Sequence, residues 1–543
     1  MTFKTTEIDL QKAGARHGFT WRFPGHPGPL IKLSWRLAVG FVLAVGLLFS
    51  SAPMAAGKTL KIAYFSKDVP GIDPLSPTFD PDSYAVITQI FDSLVYLDLD
   101  GNFQPGLATD WQQVSPTDWA FTLRRGVRFH NGEPFDARAV KFTYETVMDP
   151  AIKAGNAWIL SSFQKVIPDP DDPYRVIIRT KYPDGMFLNR LSMFGSICPP
   201  DYIRRVGLKN FAEHPVGTGP YRFGQWHKGL SIELIRNKDY WRPDIPKIEK
   251  IRFEVIPESD WVDAFLAGKL DFIPNLAGNQ TTHLMKKAKG QARILKRLVL
   301  SGYWVMLRNR GPLADRRVRQ ALNFALNKQA LVRYADFGNA VPLASLGKRG
   351  EFGANDGLIP YAHSPKLARS LLRKADIEMP LKLTAIVADI ASSVGKIIRH
   401  DFARIGIDLD LTVVPRAEWT RRVVGHKITH GQPADYDLAI NLVDNPIHSL
   451  AFHAGLFLHS SSPWSLLNDA RYDSRFIHAL QTADPEIHRQ RLEDLDRYIH
   501  KQALMVFTTQ RVITAAVRPG VRIPKFSLNG HLDYLTLTTA EFK

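Results

Sequence analysis

Residues 119–150 read WAFTLRRGVRFHNGEPFDARAVKFTYETVMDP, and three kinds of local signal agree within them. Trp119-Ala120-Phe121-Thr122-Leu123 alternates apolar with small or polar residues and is rich in aromatic and β-branched types, which predicts a strand with one buried face. Gly126 and the Asn131-Gly132 pair reach positive φ at little cost, so the strand ends in a tight, polar connection. After Pro134, Asp136 is placed to cap a helix, and Val140, Phe142, Tyr144 and Val147 supply that helix with an apolar face. Taken alone, the pattern is strand, turn and helix.

The spacing carries more than the pattern. L-R-x-G-V-x-F-H-N/D-G-x-P-x-x-A-x-x-V-x-F resembles the signature stretch of the family 5 extracellular solute-binding proteins, the dipeptide and oligopeptide receptors of ABC importers. Leu123, Arg124, Gly126, Val127, Phe129, His130, Asn131, Gly132, Pro134, Ala137, Val140 and Phe142 stand at the matching positions. In that family the stretch lies away from the ligand, so the resemblance speaks for fold and transport role.

A chain of 543 residues exceeds the roughly 250–300 that one hydrophobic core serves, so two or more lobes are expected. The formal charge of +17 is compatible with nucleic acid, anionic lipid or acidic ligands, but the basic residues are scattered, which reads as a generally basic surface. The densest group, Arg316, Arg317 and Arg319, stands beside an expected helix Gln320–Arg333 and reads as a solvated face. Cys198 is the one cysteine, which excludes an intrachain disulfide and a multi-cysteine zinc site.

Near the N-terminus, Lys32 and Arg36 precede an uncharged apolar run of thirteen residues, Leu37–Phe49, followed by SSAPMAAG. Charged, apolar, then small is the order of a secretory signal, and the run is shorter than the roughly 20 residues that cross a bilayer. Cleavage after Ala56 and the periplasm of a Gram-negative cell are the expectation; an uncleaved membrane anchor is the alternative. No cysteine ends the run to take a lipid anchor.

Three further runs extend the resemblance. FDSLVYLDLDGNFQPGLATDW is similar to one of them, with Leu94, Gly101, Pro105, Gly106, Leu107, Ala108 and Trp111 in place; Asp100-Gly101 also reads as a hairpin turn. Val216–Trp226 followed by IELIRNKDYWRPDIPKIEKIRFEVI resembles the second. Its Gly217-Thr218-Gly219 is not a phosphate loop, because no Gly-Lys-Ser/Thr follows and no helical pattern begins. Asn309–Leu331 resembles the third, a helix with Val318, Leu322, Ala325 and Leu326 on one face. In ARSLLRKADIE, Asp376 takes the place of the usual helix-ending glycine, which predicts a weaker cap.

The resemblance implies an α/β, two-lobed periplasmic-binding-protein fold of type II, from the large cluster with an additional subdomain. By analogy, 1–56 is an N-terminal extension and signal peptide, 57–91, 218–308 and 510–543 form lobe I, 92–217 the subdomain, and 309–509 lobe II. The chain would cross between lobes near Asn309 and Gln510, making a two-crossing hinge.

Little argues for covalent chemistry. His426 and His430 are spaced i, i+4, but HKITH lacks the glutamate of H-E-x-x-H, and no G-x-S-x-G elbow occurs. No enzyme, cofactor or metal is implied. A cytoplasmic ligand-sensing regulator would need a helix-turn-helix where the signal stands.

For ligand contacts the resemblance singles out two residues. Trp419, in Pro415-Arg416-Ala417-Glu418-Trp419, is similar to a tryptophan bordering the ligand cavity, with lobe packing as the alternative. Asp444, in YDLAINLVDNPIHSL, stands where an aspartate pairs with the peptide α-ammonium, with an Asx-turn cap before Asn445-Pro446 as the alternative. Two departures speak against strict dipeptide specificity: Asn441 replaces an aromatic, and Ser392 or Ser393 stands where dipeptide receptors carry an arginine. The expected protein is a monomeric receptor that delivers a peptide or peptide-like ligand to ABC permease subunits in the inner membrane, with a sugar or metal chelate as alternative cargo. No nucleic-acid partner is expected.

Overall fold

The computed structural model describes residues 58–543 apart from 66, 77–79, 99–100, 429–433, 483, 525 and 527–533. The expected signal, its cleavage point and His430 lie outside the described residues.

Ten strands form one continuous sheet path. In spatial order they are Ile407–Val414, Leu381–Ala388, Leu438–Asp444, Arg293–Leu307, Met505–Val517, Phe272–Leu276, Thr59–Phe65, Lys250–Val255, Ser231–Arg236 and Tyr221–His227. Two of these are long, Arg293–Leu307 and Met505–Val517, and they run antiparallel to each other. The C-terminal half of the first also pairs with Leu438–Asp444, whereas the C-terminal half of the second pairs with Phe272–Leu276. Two groups of strands therefore share only this pair, which is the plan of a two-lobed α/β fold. Each group contains parallel neighbours, Leu381–Ala388 with Ile407–Val414 and Thr59–Phe65 with Lys250–Val255. Val299–Leu307, antiparallel to both of its neighbours at the centre of the sheet, is buried at every residue, so this part of the sheet is covered on both faces.

The signature stretch builds a separate four-stranded antiparallel sheet. Its order is Ala108–Gln113, Asp118–Leu123, Arg175–Thr180 and Phe163–Pro168. Gly126 and Gly132 take φ of 78° and 90°, as the turn requires. Asp136 caps the helix Ala137–Met148, its side chain accepting the Arg138 amide at 2.8 Å. That helix buries Val140, Thr143, Tyr144 and Val147, while Phe142 is only half-buried under the Arg204 guanidinium. Residues i and i+2 point about 200° apart on a helix, so Val140 and Phe142 cannot share a face. Thr143 takes the inner position and accepts the Cys198 amide on Oγ1 at 2.9 Å.

Several signature residues meet at the junction with Phe91 and Asp92. A Cβ on Gly217 would stand 2.1 Å from the Ile90 carbonyl oxygen, and one on Gly219 would stand 2.5 Å from that of Gln89, so the chain passes only without side chains. The His130 ring joins the same passage, with Nδ1 accepting the Gly217 amide at 3.3 Å and Nε2 at 2.9 Å from the Gly219 carbonyl. That arrangement needs the neutral ring, and burial pushes the His130 pKa down to about 4. Buried Asp92 accepts from Thr218 Oγ1 at 3.0 Å, Tyr240 Oη at 2.9 Å and Trp241 Nε1 at 2.9 Å. Motif residues far apart in sequence thus satisfy one buried carboxylate.

Two expectations need correction. The arginine group is not beside a helix but inside one, Arg316–Ala325, which Asp315 caps by accepting the Arg317 amide at 2.7 Å. Arg319 is not solvated: it is buried and donates to the carbonyls of Leu313, Ala314 and Gln502. Asn309 follows the end of Arg293–Leu307, and the pairing of the two long strands is irregular between Leu298 and Trp304. Asp376 does adopt the left-handed cap conformation, with φ of 55°.

Candidate functional site

The two long strands converge at Gly302. A Cβ there would stand 2.7 Å from the Thr509 carbonyl oxygen, so only glycine allows this approach. Next to it, fully buried Gln510 donates through Nε2 to the carbonyls of Val299 at 3.1 Å and Arg349 at 3.0 Å. Its Oε1 accepts the Arg349 amide at 3.0 Å. One side chain thereby ties the loop around residue 349 to both strands.

That loop carries a buried cation. Lys348 and Glu351 have no exposed side-chain surface, with Nζ 3.7 Å from the Glu351 carboxylate. Lys348 Nζ also lies 3.1 Å from His453 Nδ1 and 4.2 Å from the centre of the Trp304 ring. An ammonium can only donate, so His453 Nδ1 accepts and the proton sits on Nε2, which donates to the Asp444 carbonyl at 3.1 Å. Burial and the neighbouring ammonium hold the His453 pKa well below the usual imidazole range, in keeping with this neutral tautomer. Burial lowers the Lys348 pKa too, against the pull of Glu351, Asp444 and Asp496. Asp496 anchors the far side of the loop, accepting the amides of Gly347 and Asn355, each at 3.1 Å.

Asp444 ends the strand Leu438–Asp444, is half-buried and faces Ser301 in register. The turn after it is made by its neighbour: Asn445 Oδ1 accepts the Ile447 amide at 3.2 Å. Asn445 Nδ2 donates to the Ser449 carbonyl at 2.8 Å and to the Glu351 carboxylate. Asp444 is thus held at the crossing by its own carbonyl and by the Asn445 turn.

In the segments that meet here, four buried polar atoms have no hydrogen-bond partner among the described residues: Trp304 Nε1, Ser301 Oγ, His448 Nδ1 and Ser449 Oγ. Such atoms are costly unless something else satisfies them. The segment 92–217 closes over the same loop. Asn189 Nδ2 donates to the Ile447 carbonyl at 2.8 Å, and Trp158 stacks on Phe452 with ring centres 6.4 Å apart. His448 lies under Gly101, and burial pushes its pKa down to about 4, with Arg297 acting in the same direction and Asp98 against it.

Trp419 lies elsewhere. Its indole is fully buried in the helix Arg416–Ile428, Nε1 donates to the Ile386 carbonyl at 3.3 Å, and Trp464 lies 6.2 Å away. These are contacts of a packed lobe, and no part of the ring is open. Asn441 turns its Oδ1 back to the Leu442 amide at 2.8 Å. Sequence reading missed Trp304, Lys348 and His453, and named Gln510 only as a crossing between lobes. Trp304 sits in an apolar strand and Lys348 is one of 70 basic residues, so no periodic signal marks either. The region brings a carboxylate, an indole donor, hydroxyls and an imidazole acceptor into neighbouring segments, groups that suit hydrogen bonding to a small polar molecule.

Residues 102–440 match the family model for bacterial extracellular solute-binding proteins, family 5 Middle. The glutathione-binding protein GsiB of Salmonella paratyphi A is 28% identical over 395 residues, covering 71% of this chain and 75% of that one. The nickel-binding periplasmic protein of Escherichia coli is 29% identical over 364 residues, covering 63% and 69%. Among solved structures, the ABC transporter-associated periplasmic binding protein DppA from Helicobacter pylori, in complex with the peptide STSA, superposes with a TM-score of 0.74 at 24% identity, covering 89% of this chain and 98% of that one. These relatives are binding proteins.

Proposed function

The chain belongs to family 5 of the bacterial extracellular solute-binding proteins, and from that premise we propose that it captures a peptide or peptide-like molecule between its lobes for an inner-membrane ABC importer. The observation that carries the reading is Asp444 at the strand crossing, opposite Ser301 in register, with buried Trp304 Nε1, Ser301 Oγ and Ser449 Oγ in the adjoining segments lacking a partner among the described residues. A carboxylate there pairs with the ligand's α-ammonium, while the indole and hydroxyls take its backbone polar groups. Trp419 packs against the strand Leu381–Ala388, which pairs with Leu438–Asp444, and so supports the strand that carries Asp444. The protein works as a monomer in the periplasm, without cofactor. Its lobes divide as 57–91, 218–308 and 510–543 against 309–509, with 92–217 as subdomain and the bending centred on Gly302 and Gln510. Ligand that touches both lobes favours the closed form through its differential affinity, and the permease reads that form.

A second reading, a metal chelate as cargo, is favoured by the similarity to the nickel-binding protein. One experiment separates them: melting temperature and small-angle scattering with a panel of di- to pentapeptides, glutathione, sugars and nickel-histidine. Peptides that raise the melting temperature and compact the particle support the proposal, by mass action on the folded state. A response to nickel-histidine alone moves the cargo to the chelate, and no response to any of them overturns the receptor reading of this cleft.

A further inference from the structure

The segment 92–217 is fastened to 57–91 and 218–308 by buried polar bonds, those of Asp92 with Thr218, Tyr240 and Trp241 and those of His130 with Gly217 and Gly219. It meets 309–509 differently. The short helix Phe187–Phe194 and the turn before it carry two of these contacts. Asn189 Nδ2 donates to the Ile447 carbonyl at 2.8 Å, in the turn that follows Asp444. Gly185 lies against the imidazole of His488, which belongs to the helix Pro485–Gln502. A Cβ on Gly185 would stand 2.5 Å from its Cε1 and 2.6 Å from its Nδ1. Trp158, stacked on Phe452, extends the same strip.

The imidazole has little freedom to step aside. His488 is 3% exposed and also packs on Phe352, with ring centres 5.4 Å apart. Phe352 is pinned in turn, its amide donating to the His448 carbonyl at 2.9 Å and its carbonyl accepting the Leu450 amide at 3.0 Å. It follows Glu351 in the loop whose Lys348 and Glu351 lie beside Asp444, so the seat of His488 is continuous with the candidate site. Charge does not hold Gly185 and His488 together. Asp184 is engaged by Arg190 at 3.2 Å and accepts the Met186 amide at 3.0 Å, and His488 Nε2 makes no hydrogen bond among the described residues. What joins them is close packing, which weakens within about 1 Å of separation.

We propose that Gly185 and Asn189 are positioning residues for ligand capture: carried with lobe I on the subdomain, they clasp His488 and the Ile447 turn of lobe II when the lobes close, and so hold the closed form. This rests on the two-lobed receptor reading above. The bonds on the two sides of the subdomain differ in kind, and that difference decides which side opens. Parting it from lobe I would strip the buried Asp92 carboxylate of its three donors. Parting it from lobe II breaks a neutral hydrogen bond and the packing of rings, a far smaller cost. Opening therefore runs along the strip from Trp158 to Gly185. Closing seats the imidazole against a residue that has no side chain to obstruct it.

The test is Gly185→Ala. Gly185 is not among the glycines of positive φ, so alanine suits its backbone and only the closed contact opposes it. Calorimetry with the di- to pentapeptide panel, and urea melts without peptide, are run on wild type, Gly185→Ala, His488→Ala and the double variant. Gly185→Ala is expected to weaken peptide binding by about tenfold or more, because a methyl group forced into packed space holds the clasp apart. Its peptide-free urea midpoint is expected to equal that of wild type. In the His488→Ala background, where the ring is gone, the same substitution is expected to cost little. Peptide affinity unchanged by Gly185→Ala overturns the clasp, and so does an equal loss with and without the ring. A peptide-free midpoint lowered by Gly185→Ala also overturns it, since the contact would then be a permanent part of the fold. A wild type that binds no peptide of the panel fails at the receptor reading and removes the clasp with it, a result distinct from weakened binding.

Discussion

Gly302 and Thr509 lie on the two long antiparallel strands, near enough that the first could carry no side chain without meeting the carbonyl of the second at 2.7 Å. The contact is backbone on backbone, so no rotamer change relieves it. Gly302→Ala must push the strands apart, and overpacking of this kind costs about 1–3 kcal/mol. The expected outcome is a lower urea midpoint, with ligand affinity falling as well because the crossing sets the angle of closure. A midpoint equal to wild type would show that the crossing tolerates a wider spacing.

The buried pair Lys348 and Glu351 makes a sharper test. Lys348→Met leaves the Glu351 carboxylate without its cation, and breaking such a pair typically costs about 3–5 kcal/mol. Lys348→Met combined with Glu351→Gln is expected to recover much of the loss, since neither charge then remains. Denaturant melts of the two single variants and the double variant measure the coupling. Additive losses would mean that the pair does not act as a unit.

Asp444 is tested with a peptide and its N-acetylated form, by calorimetry on wild type and Asp444→Asn. The Asx turn beside it belongs to Asn445, so the substitution leaves that turn in place. Loss of a desolvated ammonium partner at about 3–5 kcal/mol corresponds to about a hundredfold or more in affinity. Acetylation is expected to weaken wild type strongly and the variant little, because each change removes the same contact. Equal losses on both proteins would place the ammonium elsewhere.

His448 predicts a pH dependence whose sign is fixed. Its folded pKa of about 4 lies below the ordinary 6.5, so the unfolded chain takes up a proton first as pH falls, and stability is lost between about 6.5 and 4. Asp73, Asp336 and Asp496 act oppositely: raised to about 6 from 3.8, they bind protons first in the folded state and add stability over nearly the same window. Burial holds His130 and His488 at about 4 as well, and they add to the loss on the histidine side. His448→Asn removes one destabilising contribution, and asparagine tolerates the φ of 56° found there. From pH 7 to 4.5 the variant is expected to gain about 1–3 kcal/mol relative to wild type in urea melts. A constant difference across that range would mean that His448 is not buried as a neutral ring.

What the sequence determined by itself was local: the strand, the turn at Gly126 and Gly132, the Asp136 cap and the helix after it, and through their spacing the family. These features are legible because each rests on residues a few positions apart, where φ preference and side-chain period act directly. Even there, Phe142 was misplaced, since membership of an apolar stretch does not give the angle around the helix axis. Arg319 looked like surface until the carbonyls of Leu313, Ala314 and Gln502 were brought to it. The candidate site is the opposite case. Asp444 was visible through resemblance and Gln510 as a crossing between lobes, but the pair Ser301 and Trp304, Lys348 and His453 come from separate stretches of the chain, and none stands out in its own segment. Only the pairing of the two long strands and the loop packed on them bring these residues together, because chemistry at a point depends on distance in space, and separation along the chain does not encode it.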